Sequence, residues 1–357
     1  MLVESVVNPQ SIALAASSDA SNAIPFLGLQ FFPEMKKSGI DLRWIKTHRN
    51  VSPVLAPSNY DALPVLRARD GIAIQDTEMP FFRESMQVTE RDMIEIGRIA
   101  DATDPYLASA LRGVYDDTTK LIRSAEVVGE VMRMQLLSAA NGHPSIAISA
   151  NGQTYAYNYD PDGSYATGNY DSLTSTKMWS NTSTATPIDD LYKAKKALAA
   201  KGYVARYVIM TTKTFGYLRN NAQVKSALMT TNAAGVIFIS DDMVKRIVRD
   251  VLGLEIVVYD KTYIDYDGNT KNFYPDDTVT ILPDAQLGRT WYGSTPAERS
   301  QGVVTNAQTA IYGTGIAITT EPEMKSGVYK FTTTASEIVL PSFEMMDATY
   351  VIKVVNP

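Results

Sequence analysis

The segment from about Ile40 to Gln87 limits what this 357-residue chain can fold into more than any other part of it. It reads as one extended excursion: Leu42 to His48, then Val51 to Pro57, then Pro64 to Ile74. Prolines at 53, 57, 64 and 80 exclude a helix and disfavour a central strand. Val65, Arg67 and Arg69 alternate with Leu66 and Ala68 as in an edge ribbon, and Asp70-Gly71 supplies a turn. Fixing a residue costs about 1–2 kcal/mol of backbone entropy, and a two-stranded ribbon has no core of its own to offset that. The pattern predicts a ribbon covered by something else, and a second copy of the same chain is the simplest cover.

The rest of the composition narrows the class of protein. An apolar fraction of 45% with 20% charged residues is ordinary for a folded protein, and the length allows two subdomains. No apolar run approaches the roughly 20 residues that span a bilayer, so no membrane contact is expected. No Lys or Arg precedes Lys36, so the basic start of a secretory signal is missing and assembly in the cytoplasm is the expectation. The absence of cysteine excludes disulfides, thiolate zinc sites and cysteine nucleophiles. The two histidines, His48 in the ribbon and His143 after Asn141-Gly142, read as loop residues. The formal charge is −6, and no basic arm is present to neutralise phosphates. Nucleic acid near such a chain would be enclosed, not gripped.

Along the chain, residues 1–38 are small and polar around an apolar patch, Ile24 to Phe32, which reads as an arm that docks. Thr89 to Asp92 resembles a capping box opening a short helix to about Ala100. Thr103-Asp104-Pro105 then starts a second helix. Its stripe is Leu107, Leu111, Val114, Leu121, Ala125, Val128, Met132 and Leu136, and it stops at Asn141-Gly142. Such a helix would run roughly 55 Å, the length of a spine and not of an average helix. Ser145 to Tyr159 predicts a hairpin about Asn151-Gly152. From Pro187 to about Tyr292 helices and strands alternate: helix Pro187–Lys201, strand Tyr203–Met210, two short helices Thr212–Met229, strand Val236–Ile239, a helix from Ser240 to Gly253, strand Leu254–Tyr259, a hairpin Tyr263–Thr270, and strands Val279–Leu282 and Arg289–Tyr292. The tail returns to β structure at Thr309–Ile318, Val328–Phe331, Glu337–Leu340 and Ala348–Val355, which is expected to pack on the long helix.

Candidate chemistry dissolves on inspection. Of the acidic pairs, Asp116-Asp117, Asp189-Asp190, Asp241-Asp242 and Asp276-Asp277, the second and third sit where helix first turns favour carboxylates, and the fourth follows Pro275 in a turn. Asn158-Tyr-Asp160-Pro-Asp162-Gly163 matches the first half of a calcium loop, but the twelfth position is Asn169, which lacks the bidentate carboxylate. Asp265-Tyr-Asp267-Gly268 reads as a turn for the same reason. No phosphate-cradling glycine loop, His-Glu-x-x-His or Gly-x-Ser-x-Gly is present. No catalytic, cofactor or metal residue is assigned.

Several segments, taken in order, resemble the major capsid proteins of tailed bacteriophages, the group like the phage lambda head protein. Met79-Pro-Phe-Phe-Arg-Glu-Ser-Met-Gln-Val-Thr-Glu-Arg-Asp92 looks like that family's passage from extended loop to central domain. Trp179-Ser180 with Pro187-Ile-Asp-Asp-Leu191 resembles its entry to the second domain, and Asp277 to Pro283 with Gly288 to Gly293 its exit. Leu340-Pro-Ser-Phe343 and Tyr350 to Val355 resemble its closing strands.

The resemblance implies an α+β fold of the Hong Kong 97 type. Its parts would be an arm at 1–38, an extended loop at 39–88, a peripheral domain with a spine helix at 89–185 completed by strands at 316–357, and an axial domain at 186–315. It implies a self-assembling, non-enzymatic protein of the phage head, in pentamers and hexamers around packaged double-stranded DNA held without sequence-specific contacts. A portal is implied as partner, with room left for a decoration protein. Some relatives begin with a cleaved scaffold segment; the ribbon here starts near residue 40, so a separate scaffolding protein is expected. Trp44, Leu55, Arg67 and Arg69 in the ribbon and Phe26, Phe31 and Phe32 in the arm are the candidate interface residues, with intrachain packing as their ordinary alternative. An encapsulin-like compartment, a tail-tube protein and a carboxylate-dependent hydrolase are the rival readings.

Overall fold

The computed structural model describes residues 10, 25–46, 73–91, 94, 106–150, 152–231, 239–299, 308–325 and 327–356. The arm contributes α1 (Gly28–Phe31) and β1 (Glu34–Lys36). The ribbon base is β2 (Asp41–Lys46) paired with β3 (Ala73–Glu78), and β4 (Phe81–Val88) resumes after Pro80. The long helix is α2 (Tyr106–Ser138), 33 residues or about 50 Å. It ends shortly before the Asn141-Gly142 stop, where Ala139 turns to φ +39° and Gly142 to φ +82°. A Cβ on Gly142 would stand 3.2 Å from the Tyr170 ring, so both backbone and space call for glycine there.

The expected hairpin follows as β5 (Ser145–Ala150) and β6 (Gln153–Asn158), then α3 (Ser164–Gly168) and β7 (Tyr170–Ser172). α4 (Pro187–Ala200) opens with proline in its first turn and Asp189 and Asp190 beside it. Next come β8 (Ala205–Met210), α5 (Thr212–Asn220) and α6 (Ala222–Thr231). α7 (Asp241–Leu252) is capped by Ser240 Oγ, which accepts from Met243 N, and closed by Gly253 at φ +65°. β9 (Glu255–Val258), the hairpin β10 (Thr262–Ile264) and β11 (Thr270–Asn272), β12 (Thr278–Pro283), β13 (Arg289–Tyr292), β14 (Gln308–Tyr312), β15 (Ile316–Lys325), β16 (Val328–Ser342) and β17 (Tyr350–Lys353) complete the order.

These elements form two compact units, one of residues 1–43, 76–131 and 289–342, the other of 44–75, 132–288 and 343–357. The first is organised by β16. One side of that strand pairs with β15; the other pairs with β4 along Phe331–Ile338 and with β13 along Val339–Ser342, all antiparallel. β14 extends the sheet beyond β15, and β1 runs parallel to β13. Burial alternates along β16 at Phe331, Thr333 and Ala335, as for a half-covered sheet, and becomes continuous from there to Ser342. In the second unit the sheet order is β7-β17-β12-β8-β9, with β17 and β8 antiparallel to β12. Val208, Ile209, Val279, Ile281, Val351 and Ile352 fill its core, against Leu191, Ala194 and Leu198 of α4 and Val244, Val248 and Leu252 of α7. The inward residues of each helix recur three or four positions apart, as amphipathic spacing requires.

Three expectations change. The closing strand Tyr350–Lys353 fills the gap between β12 and β7 in the mixed sheet, in the unit that also holds the last turns of the spine helix (132–138), and Val351 and Ile352 are buried there. Arg289–Tyr292 leaves the 186–315 segment to join β16, and 145–185 groups with the mixed sheet. The tail strands also divide differently: the glycine turn at 313–315 splits Thr309–Ile318, and Val328 to Ser342 is one uninterrupted strand. The helix expected after Thr89 falls largely outside the described residues, as does most of the Val236–Ile239 strand.

Candidate assembly surfaces

The described part of the arm, residues 25–38, is docked on its own unit. Phe31 and Phe32 are 1% and 0% exposed. The Gly28 amide donates to Glu130 Oε1 of the spine helix at 3.0 Å, and Thr290 Oγ1 donates to the Phe32 carbonyl at 2.9 Å. Glu34 fixes β1 by accepting from Tyr292 Oη (3.2 Å) and Thr314 Oγ1 (2.8 Å). Phe31 and Phe32 therefore serve as intrachain core, the alternative to their interface assignment; two aromatic side chains this buried have no surface left to offer a neighbour. Phe26 is half-buried.

The base of the ribbon is also not bare. Asp41 and Arg43 face solvent while Leu42, Trp44 and Lys46 are buried, the period of two expected for a strand covered on one face. Trp44 stacks on Tyr159 with ring centroids 5.4 Å apart, so it too packs within the chain, and burial pushes the Tyr159 hydroxyl well above its ordinary range. The premise that the ribbon has no core of its own fails at this end, because the hairpin β5–β6 and the loop after it supply one. Leu55, Arg67 and Arg69, with the middle of the ribbon, lie outside the described residues.

Beside that stack is a buried charge cluster that sequence reading missed. Lys46 has a side-chain exposure of 3%; its Nζ lies 3.3 Å from Ser164 Oγ, 3.8 Å from Asp160 Oδ1 and 3.7 Å from Asp162 Oδ1. The fully buried Asp160 carboxylate accepts from Tyr165 N (3.0 Å), Ala166 N (3.3 Å) and Ser164 Oγ (3.2 Å), and lies 3.1 Å from His143 Nδ1. Burial opposes ionisation of Asp162, but its hydrogen bonds with Asp160 and Ser164 and the Lys46 charge hold it below the usual carboxylate range. The loop read as half a calcium site thus closes around an ammonium group. The available signal was the alternation that puts Lys46 on the face of Leu42 and Trp44, joined to the Asn158-x-Asp160-x-Asp162 spacing. Among the described residues no group of three or more His, Cys, Asp or Glu is arranged to hold a metal.

Carboxylates of two further acidic motifs have structural partners, while the side chains of Asp116 and Asp117 lie outside the described residues. Asp276 Oδ1 accepts from Thr211 Oγ1 at 2.6 Å, and Asp277 pairs with Lys213 at 2.8 Å. Asp265 accepts the Asp267 and Asn269 amides in its turn and pairs with Lys271. Among the described residues no helix is long and apolar enough to cross a membrane.

Among the described residues, two strands lie at the ends of the β4-β16-β15-β14 part of the sheet. Among the described residues β4 pairs with β16, and Arg83 to Gln87 are exposed. At the other end, again among the described residues, β14 pairs with β15, and it exposes Ile311 by 48%.

Comparison with known proteins places these features. The family model described as phage major capsid protein E matches residues 13–341. Among solved structures, the putative capsid protein of a prophage of E. coli CFT073 aligns over 98% of this chain and 99% of its own, at 14% identity and a TM-score of 0.59. A phage-related protein from Bordetella bronchiseptica RB50 aligns over 98% and 97%, at 14% identity and a TM-score of 0.55. No curated protein matches the sequence.

Proposed function

The chain belongs to the phage major capsid protein E family, and from that premise we propose how its copies build a shell. It is a structural protein of the phage virion, with the α+β fold of Hong Kong 97-type capsid proteins, and its copies self-assemble into the icosahedral head. Pentamers and hexamers are the building blocks, with the mixed α/β part at 187–283 towards the capsomer axis and the ribbon laid over a neighbour. The head is that of a tailed phage, assembled in the host cytoplasm around a portal and a scaffolding protein. It encloses double-stranded DNA by shape, without a sequence-reading surface, and offers its outer face to any decoration protein.

The family match across residues 13–341 carries this reading. The docked arm and ribbon base support it in a specific way: both are pre-set on the subunit, so less ordering entropy opposes assembly than a free ribbon would impose. Electron microscopy of the purified protein tests it. Closed shells are expected. Rods would indicate a tube protein, and shells that carry an enzyme cargo in place of DNA would indicate an encapsulin-like compartment.

A further inference from the structure

We propose that the β10–β11 hairpin of one copy lies along the flank of α7 in the next, its tip towards the start of the helix, so that Asp267 meets Arg246 and Thr262 meets Val251. The proposal rests on the capsid reading for its premise that identical copies meet, and it goes beyond that reading in naming the two surfaces and their direction.

The first surface is a stripe on α7. Val244, Val248 and Leu252 form the buried row of that helix. On one side of the row Asp241 pairs with Arg219 at 3.0 Å and Lys245 lies over the Phe215 ring, so that side faces α5. On the other side Met243, Ile247 and Val251 recur one turn apart, about 12 Å from end to end. Met243 is 38% and Val251 63% exposed, so this apolar row is not covered within the chain.

The second surface is one face of the hairpin. Tyr263 packs on Phe273, with ring centroids 4.9 Å apart, which turns its own face inward. Alternation puts Thr262 and Ile264 on the opposite face with their cross-strand partners Asn272 and Thr270. All four are exposed, Ile264 by 71%, and Tyr266 at the tip by 61%. The tip is held in shape, because Asp265 accepts the Asp267 and Asn269 amides. At about 3.3 Å per residue, Thr262 to Tyr266 spans about 13 Å, the length of the α7 stripe.

Charge fixes the direction. On the solvent side of the stripe Arg246 borders Met243 and Asp250 borders Ile247, each three positions on. The hairpin carries Asp267 at its tip and Lys271, beside Asp265 at 2.7 Å, nearer its base. With the tip at the start of α7, Asp267 faces Arg246 and Lys271 faces Asp250. Reversed, like charges meet in both places. Both surfaces belong to the α/β part that the capsid reading turns towards the capsomer axis, where copies related by rotation lie nearest. Since the hairpin face and the helix flank are different surfaces of one chain, the contact is head to tail and repeats around a ring.

The cysteine-free sequence makes the test clean. Particles of the double variant Thr262→Cys/Val251→Cys, treated with a short bismaleimide, should give a denaturing-gel ladder whose steps climb to the number of subunits in a ring. Each single variant should stay monomeric on that gel. Intact particles without the ladder would overturn the proposal, and so would dimers from either single variant, which would show like surfaces meeting. Charge reversal in the chain without cysteines is the second reading. Asp267→Arg and Arg246→Asp should each lower the yield of particles severalfold, and the two together should restore it. No loss from either, or no recovery in the combination, would overturn the contact. Failure of the unmodified chain to form particles at all would instead count against the capsid reading itself, and the contact would fall with it.

Discussion

Asp160→Ala should detach the base of the ribbon from its own subunit. The substitution removes the acceptor for Tyr165 N, Ala166 N and Ser164 Oγ. It also leaves the 3%-exposed Lys46 ammonium with only Ser164 Oγ at 3.3 Å and the largely exposed Asp162 at 3.7 Å. Removing one partner of a buried ion pair costs about 3–5 kcal/mol, because the remaining charge is stranded. If that cost falls on local opening of β2, amide exchange there accelerates about a hundredfold to several-thousandfold, at 1.4 kcal/mol per tenfold. Hydrogen-exchange mass spectrometry of peptides covering 41–46 and 158–166 reads this directly. Lys46→Met is the control: it removes the ammonium and leaves Asp160 its backbone donors, so its cost should be smaller. The double variant should recover most of the Asp160→Ala loss, giving a coupling of about 2 kcal/mol or more in the cycle. Strictly additive effects, or exchange in 41–46 unchanged by Asp160→Ala, would refute the view that this charge cluster holds the ribbon.

Trp44→Ala should cost about 3–5 kcal/mol in the same place through the cavity it leaves against Tyr159, and trypsin should then cut faster after Arg43 and Lys46. Unaltered nicking at those two sites would mean that the stack does not hold β2. Asp190→Asn tests the opposite sign of electrostatics. Burial raises the Asp190 carboxyl above its ordinary value, although the Trp179 indole N–H at 3.0 Å works against that. A carboxyl whose folded pKa is raised loses stabilising power as pH climbs from the acid side through the carboxylate range. The asparagine variant lacks that loss, so its urea midpoint should gain on the wild type between about pH 4 and 7; a gap that shrinks over that range would contradict the assignment.

What could be read from the sequence follows from where each signal lives. Helix ends written in local chemistry were legible: Pro187 with Asp189-Asp190, and Ser240 with Gly253, are stop and start marks that need no partner. The hairpin at Asn151-Gly152 was legible for the same reason. Strand partners were not. Tyr350–Lys353 and Arg289–Tyr292 carry alternation or apolar runs that any sheet would accept, and only the spacing of two separate cores decides which sheet takes them.

The ribbon shows the same division within one segment. Its prolines spoke for extension, and β2 and β3 are extended. Its apparent lack of a core was a misjudgement about long-range packing, since the covering surface, Tyr159 and the Asp160 loop, lies over a hundred residues away. Lys46 was overlooked because a lysine in an edge strand is ordinarily a solvated charge that guards against pairing. Here its place in the alternation made it the buried residue and its neighbours the exposed ones. A charge on the inward face of a strand therefore deserves a search for a distant acidic loop before it is assigned to solvent. In this chain, that pairing makes the ribbon base part of the subunit.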